Sequence, residues 1–159
     1  MKELDSYLND HLAGSVSALE LTAHWMDAHK GAPLDSLFGQ IETEIKADQD
    51  KLRDVMRSLG VKESRVRKAG AWAAEKFGRA RLMIAGDERD GLGLVLTLEG
   101  LILGVQGKKL MWRALATLNL QELKDFNFEE LQRRAQQQME RMNAERLRAA
   151  QRVFTNDSR

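Results

Sequence analysis

Apolar residues recur every three or four positions through most of this chain, and strict alternation over six or more residues occurs nowhere. The pattern predicts helices and no strands. Leu4, Leu8, Leu12, Leu19, Ala23 and Met26 mark one face of a first helix over residues 3–29, which Lys30, Gly31, Ala32 and Pro33 bring to an end. Asp35 stands at the cap of a second helix, whose apolar line is Phe38, Ile41, Ile45, Leu52, Val55 and Leu59 before Gly60 stops it. So short a turn makes these two helices antiparallel neighbours. Ser64 is placed to cap a third helix reaching residue 84, with Val66, Ala69, Ala73, Phe77 and Ala80 on one side and basic residues on the other. After a polar break at 86–91, a fourth helix over 92–118 is apolar nearly all round in its first half, which marks it as the most buried element. A linker at 119–127 leads to a last helix over 128–154, with Leu131, Ala135, Met139, Met142, Ala149 and Val153 on its core face, and residues 155–159 are expected to form a flexible tail.

These elements describe an all-α protein with one domain over residues 1–154: two helices, a long crossover carrying a helix of its own, and two more helices. A length of 159 residues suits a single core, and the one proline, Pro33, suits long helices. Basic and acidic side chains nearly cancel, 25 against 24, so the whole-molecule field does not steer the protein toward nucleic acid or an anionic membrane. Cysteine is absent, which removes disulfides, thiolate nucleophiles and zinc-thiolate sites together. The longest apolar run, 92–105, contains Glu99 and is shorter than the roughly 20 residues a membrane span needs. The opening MKELDSYLNDHL carries early acids and no apolar stretch of signal-peptide length, so a cytoplasmic location is expected.

Gly93, Gly100, Gly104 and Gly107 fall on one face of the helix predicted over 92–118. Each glycine costs about 1 kcal/mol relative to alanine inside a helix, a loss that close backbone packing can recover. Gly14, Ser17 and Ala18 offer a matching stripe on the first helix. The expectation is therefore an unusually close approach of the first and fourth helices, with a homodimer contact across the same stripe as the second reading.

Two acids interrupt apolar lines. Asp48 sits between Ile45 and Leu52 on the core face of the second helix, where an unpaired carboxylate costs several kcal/mol or becomes protonated. Counting antiparallel levels from Gly31 puts it beside Ser15 and about a turn from His11, so a hydrogen bond between His11 and Asp48 is expected. Glu99, flanked by Leu98, Leu101 and Ile102, needs a cation, for which Arg141, Lys108 and Lys109 are candidates, or a metal or a proton. Glu20, Glu42 or Glu44, Glu99, and Glu140 or Glu145 fall at similar heights in an idealised bundle, one carboxylate per helix.

With that crossover and those carboxylates, and in segments such as YLNDHLAGSVSALEL and LEGLILGVQGKKLMWR, the chain resembles the ferritin-like superfamily, in particular its bacterial branches without an intact di-iron motif. The resemblance implies a four-helix bundle with a long crossover between the second and third bundle helices. In the di-iron members, the first and third bundle helices each supply a glutamate, positions that Glu20 and Glu99 match. The second and fourth each supply a glutamate followed three residues later by a histidine. Here Ala47 follows Glu44, Asn143 follows Glu140 and Arg148 follows Glu145, while all three histidines, His11, His24 and His29, lie on the first helix. The usual di-iron cage cannot form from that set. What remains is an oxygen-rich site using Glu20, Glu44, Glu99 and Glu140, with His24 as a single nitrogen donor.

No phosphate-binding glycine loop, nucleophile elbow, metalloprotease helix or calcium loop is present, so no catalytic residue and no cofactor are assigned. Arg133, Arg134, Arg141, Arg146, Arg148 and Arg152 enrich the last helix, but Glu129, Glu130, Glu140 and Glu145 interleave with them, which favours a salt-bridged face over a phosphate-binding one. Trp25, Trp72 and Trp112 and the methionines near core lines read as packing. The resulting expectation is a non-enzymatic interaction or stress-associated protein whose metal centre has degenerated. The alternative is a carboxylate-rich iron or manganese protein with storage or oxidase activity.

Overall fold

The computed structural model describes residues 2–64 and 91–156. Among these residues there are four α-helices, α1 (Lys2–Ala28), α2 (Asp35–Ser58), α3 (Leu92–Ala116) and α4 (Phe128–Asn156), a short 3-10 turn at Gln121–Leu123, and no strand. The helix expected over 64–84 and Trp72 lie outside the described residues. The last helix continues through Asn156, two residues into the stretch expected to be a tail, and residues 157–159 lie outside the described residues.

The apolar lines read from the sequence form two core clusters, one above the other along the bundle. The first gathers Leu21 and Trp25 of α1, Phe38 and Ile41 of α2, Leu98 and Leu101 of α3, and Met142 of α4. The second gathers Leu8 and Leu12, Val55 and Met56, Met111 and Trp112, and Phe128 and Leu131 from the same four helices. Residue numbers rise from the second cluster to the first along α1 and α4 and fall along α2 and α3. The helices therefore run up, down, down, up: α1 antiparallel to α2, α3 antiparallel to α4, and α2 parallel to α3. The α1/α2 and α3/α4 pairs pack most extensively, and α1 touches α3 more sparingly.

Local chemistry fixes the helix ends. Gly60 adopts φ +69°, its N–H donates to the Arg57 carbonyl at 3.1 Å, and the Val61 N–H donates to the Met56 carbonyl at 2.8 Å. This is a Schellman stop, completed by Val61 and Met56 in one apolar cluster. Asn9 holds the chain beyond it: its amide donates to the Lys62 carbonyl at 3.1 Å and its Oδ1 accepts from the Ser64 N–H at 2.7 Å. Asp35 is the first helical residue of α2, not its cap, and its carboxylate accepts from the Gly31 N–H at 3.4 Å. Asn127 caps α4, accepting from the Glu130 N–H at 3.0 Å. At the closed end of the first hairpin, Trp25 stacks on Phe38 with ring centroids 3.9 Å apart, and on its other side lies His29 at 4.5 Å.

The expected close approach of the first and fourth predicted helices, here α1 and α3, is not found at Gly14 or Gly107. A Cβ built on Gly14 would meet no heavy atom within 4 Å, and one on Gly107 would meet only His11 Cε1, at 3.9 Å. Gly14, Gly100, Gly104 and Gly107 instead border an open groove between the two helices, while Gly93 is buried as the second residue of α3. Missing side chains leave space as readily as they permit contact, and here the helices separate above a polar floor. Gly14→Ala is therefore expected to raise stability by up to about 1 kcal/mol through helix propensity. Gly60→Ala, at a left-handed backbone position, is expected to lower it by about 1–2 kcal/mol. Chemical denaturation of the two variants checks the contrast, and destabilisation by Gly14→Ala would restore the close-packing account.

Candidate functional site

Between the two apolar clusters lies a polar layer to which all four helices contribute. Asp48, only 3% exposed, is its centre. Its Oδ2 accepts from Lys108 Nζ of α3 and, at 3.0 Å, from Gln138 Nε2 of α4. Arg134 Nη2 of α4 lies 3.1 Å from Oδ1, an electrostatic contact outside hydrogen-bond geometry. Lys108 also donates to Gln138 Oε1 at 2.7 Å, closing a triangle of three side chains from three helices. The fourth helix enters through Ser15, which accepts from Gln49 Nε2 at 2.8 Å, while Gln49 accepts from Arg53 at 2.7 Å.

The electrostatics follow from burial. Removing a carboxylate from water costs several kcal/mol unless charge and hydrogen bonds replace the solvent. Lys108 and Arg134 bring two positive charges to the one on Asp48, and beside them Arg141 is paired with Glu44. Loss of solvent pulls the Lys108 pKa below that of an ordinary lysine, more strongly than Asp48 raises it. The layer thus brings two cations to one buried carboxylate, Lys108 from largely inside the protein and Arg134 from a partly exposed position.

The hydrogen bond expected between His11 and Asp48 is not formed. His11 packs edge-on against Tyr7, with centroids 4.7 Å apart, and against the open side of Gly107. Asp48 takes Lys108 instead, because a long cationic side chain reaches across from α3 and satisfies both charge and hydrogen bonding. Glu99 is not a core residue: 43% of its side chain is exposed, and it pairs with Arg146 at 3.2 Å, not with Arg141, Lys108 or Lys109. It shares one outward stripe of α3 with the exposed Leu103 and Leu110, so its apolar sequence neighbours belong to other faces.

The residues weighed as metal ligands do not assemble. Glu44 is bound by Arg141, Glu99 by Arg146, and Glu140 accepts from Gln136 at 2.8 Å. Glu20 is exposed on α1, and the Nε2 of half-buried His24 has no hydrogen-bond partner. Glu42 pairs with Lys46, and Glu145 with Arg148. Among the described residues no three His, Asp or Glu side chains converge as a metal site requires. The donor set therefore does not fit a di-iron centre. The arginine-rich face of α4 is neutralised in the same way, since Arg133, Arg134, Arg141, Arg146 and Arg148 each meet a carboxylate. No described helix is long and apolar enough to cross a membrane.

Above the polar layer, the groove between α1 and α3 encloses about 710 Å³. Leu101, Val105, Leu103, Leu110, Met111 and Trp112 supply much of its apolar wall, and Ser15, Asp48, Gln49 and Lys108 its floor. Tyr7, Asp10 and His11 stand at one end. Trp112 is fully buried, and its indole N–H has no acceptor in the protein. The volume lies in the range of about 300–1,000 Å³ typical of small-molecule sites, and the mix of apolar wall and few polar groups is characteristic of them. The sequence reading missed this groove because its glycines were assigned to contact. The signal was Lys108 itself, a cation one residue from the glycine face of an apolar helix.

No protein-family model, curated protein or solved structure matches the chain. Likeness to known proteins thus assigns no function, and the functional reading stands on the residues of the layer and the groove.

His11 offers a direct readout of the groove's dryness. Burial lowers its pKa below the ordinary histidine value, outweighing the opposing pull of Asp10. The unfolded chain therefore takes up the proton first, and this contribution to stability is lost as pH falls through about 6.5 toward the lowered folded value. Melting temperatures measured from pH 7.5 down to about 5 should fall less steeply in His11→Gln than in the wild type; identical slopes would remove His11 from the account.

Proposed function

We propose that this protein is a non-enzymatic, ferritin-like helical-bundle protein that acts by interaction, with ion pairs at the interior level where such bundles carry a metal centre. The observation that carries the reading is the hold on Asp48: the buried carboxylate meets an ammonium and an amide, with a guanidinium beside it, rather than other carboxylates or an imidazole. A cation bound there would have to displace Lys108 from its two acceptors. The up-down-down-up order of the described helices, with α2 and α3 running in the same direction, supports the ferritin-like part, because a long crossover between two successive bundle helices is what makes them parallel. A cytoplasmic setting belongs to the same reading, and its bacterial, stress-associated character comes from the resemblance. Interaction then falls to the groove between α1 and α3, the concave surface lined by both apolar and polar groups.

Metal analysis separates this from the storage or oxidase alternative. Protein purified without chelator is expected to carry no stoichiometric iron or manganese, and added Fe²⁺ or Mn²⁺ should leave its melting temperature unchanged. Stoichiometric metal that disappears in Glu99→Ala would instead establish the carboxylate-rich site.

A further inference from the structure

We infer that the groove between α1 and α3 is a binding site for a free apolar monocarboxylate, a fatty-acid-like molecule whose alkyl body lies along the glycine-lined wall and whose carboxylate meets Lys108. The inference takes the groove as the interaction surface from the reading above and names what it binds.

Shape, hydrogen bonding and charge each contribute. The wall is apolar and continuous from Leu101 through Val105 to Met111, and Gly14, Gly100, Gly104 and Gly107 keep side chains out of the space. A flexible chain of methylenes gains burial there without needing a polar partner. At the floor, two of the three N–H groups of the Lys108 ammonium are used by Asp48 and Gln138, which leaves a third for an acceptor arriving from the groove. One turn further along α3, Trp112 lines the same groove with a buried indole N–H that no protein atom accepts. The spare Lys108 donor suits a group that accepts, while the Trp112 N–H lies too deep for an occupant of the groove to reach as the side chains stand.

Charge selects the carboxylate among acceptors. Lys108 and Arg134 both approach Asp48, and Glu44 is matched by Arg141, so the floor of the groove presents a cation that shares its one carboxylate with a second cation. A carboxylate suits that ammonium, whereas a cationic head group would be repelled by it. The ionisable groups of the lining beyond this layer, Tyr7, Asp10 and His11, lie at the mouth, with Asp10 exposed to solvent. An amphipathic helix is a poorer occupant: its backbone hydrogen bonds are already closed, so its apolar face would cover the Lys108 ammonium without supplying an acceptor.

The test titrates the full chain with dodecanoate below its micelle-forming concentration, by calorimetry, with dodecanol as the uncharged control. Saturable one-to-one binding of dodecanoate, weaker by at least about tenfold for dodecanol, is expected. Lys108→Met, shown to be helical by circular dichroism, should weaken dodecanoate by a similar factor. Gly14→Leu, shown to be helical by circular dichroism, provides the test that leaves the residues of the layer in place: a Cβ there meets nothing within 4 Å, the added side chain enters the groove that Gly14 lines, and binding should be lost. Absence of saturable binding, equal affinity for dodecanol, or binding unaffected by Gly14→Leu would each overturn the inference. None of these would disturb the ion-pair reading of the layer, which fails only on the metal measurement, and stoichiometric metal would in turn leave the titration to stand or fall by itself.

Discussion

A carboxylate buried halfway along a helical bundle constrains everything around it. Asp48 is excluded from water on the core face of α2, so the fold must deliver charge and hydrogen-bond donors to one point or leave a penalty of several kcal/mol. The protein does so with Lys108 from α3 and Gln138 and Arg134 from α4, residues distant in sequence that meet only when the helices stand in one register. Apolar packing above and below supplies most of the stabilisation, because it buries far more surface. Hydrophobic contacts tolerate sliding, however, and a charged triangle of side chains does not. The layer is therefore the feature that fixes how the helices align.

The groove is a consequence of the same arrangement. On the α2 and α4 sides the layer is closed by side chains that reach inward, but between α1 and α3 the facing residues include the glycines Gly14, Gly100, Gly104 and Gly107. Ser15 reaches only as far as Gln49, and α1 is tied to α2 rather than to α3. The result is a concavity with an apolar wall and a charged floor, in a molecule where many of the described surface carboxylates and arginines are paired. Isolated surface pairs of that kind contribute little to stability. They matter here because they occupy the carboxylates and arginines that would otherwise suggest metal or nucleic-acid binding.

Much of the architecture was legible in the order of residues. The lines through Leu8 and Leu12, Phe38 and Ile41, and Leu131 and Ala135 lie in the core as helical periodicity requires, and Gly60 ends α2 by the conformation only glycine adopts readily. Asp48 was legible too, as an acid out of place on an apolar face. Its partners were not, because periodicity assigns a residue to a face but not a long side chain to its contact sixty residues away. Glu99 misled for a related reason: adjacent leucines along the chain point in different directions around a helix, and the residue heads an outward stripe. The glycines misled most, since an absent side chain permits either contact or space, and only the position of the neighbouring helix decides between them.

The account stands or falls on the coupling between Asp48 and Lys108. A double-mutant cycle with Asp48→Asn and Lys108→Met, followed by chemical denaturation, measures it free of each residue's separate packing. Each single variant strands a buried partner, so the account predicts a coupling of about 2 kcal/mol, with the double variant less destabilised than the sum of the two. A coupling below about 0.5 kcal/mol would mean that the two side chains do not depend on each other, and the layer would not be what aligns the helices.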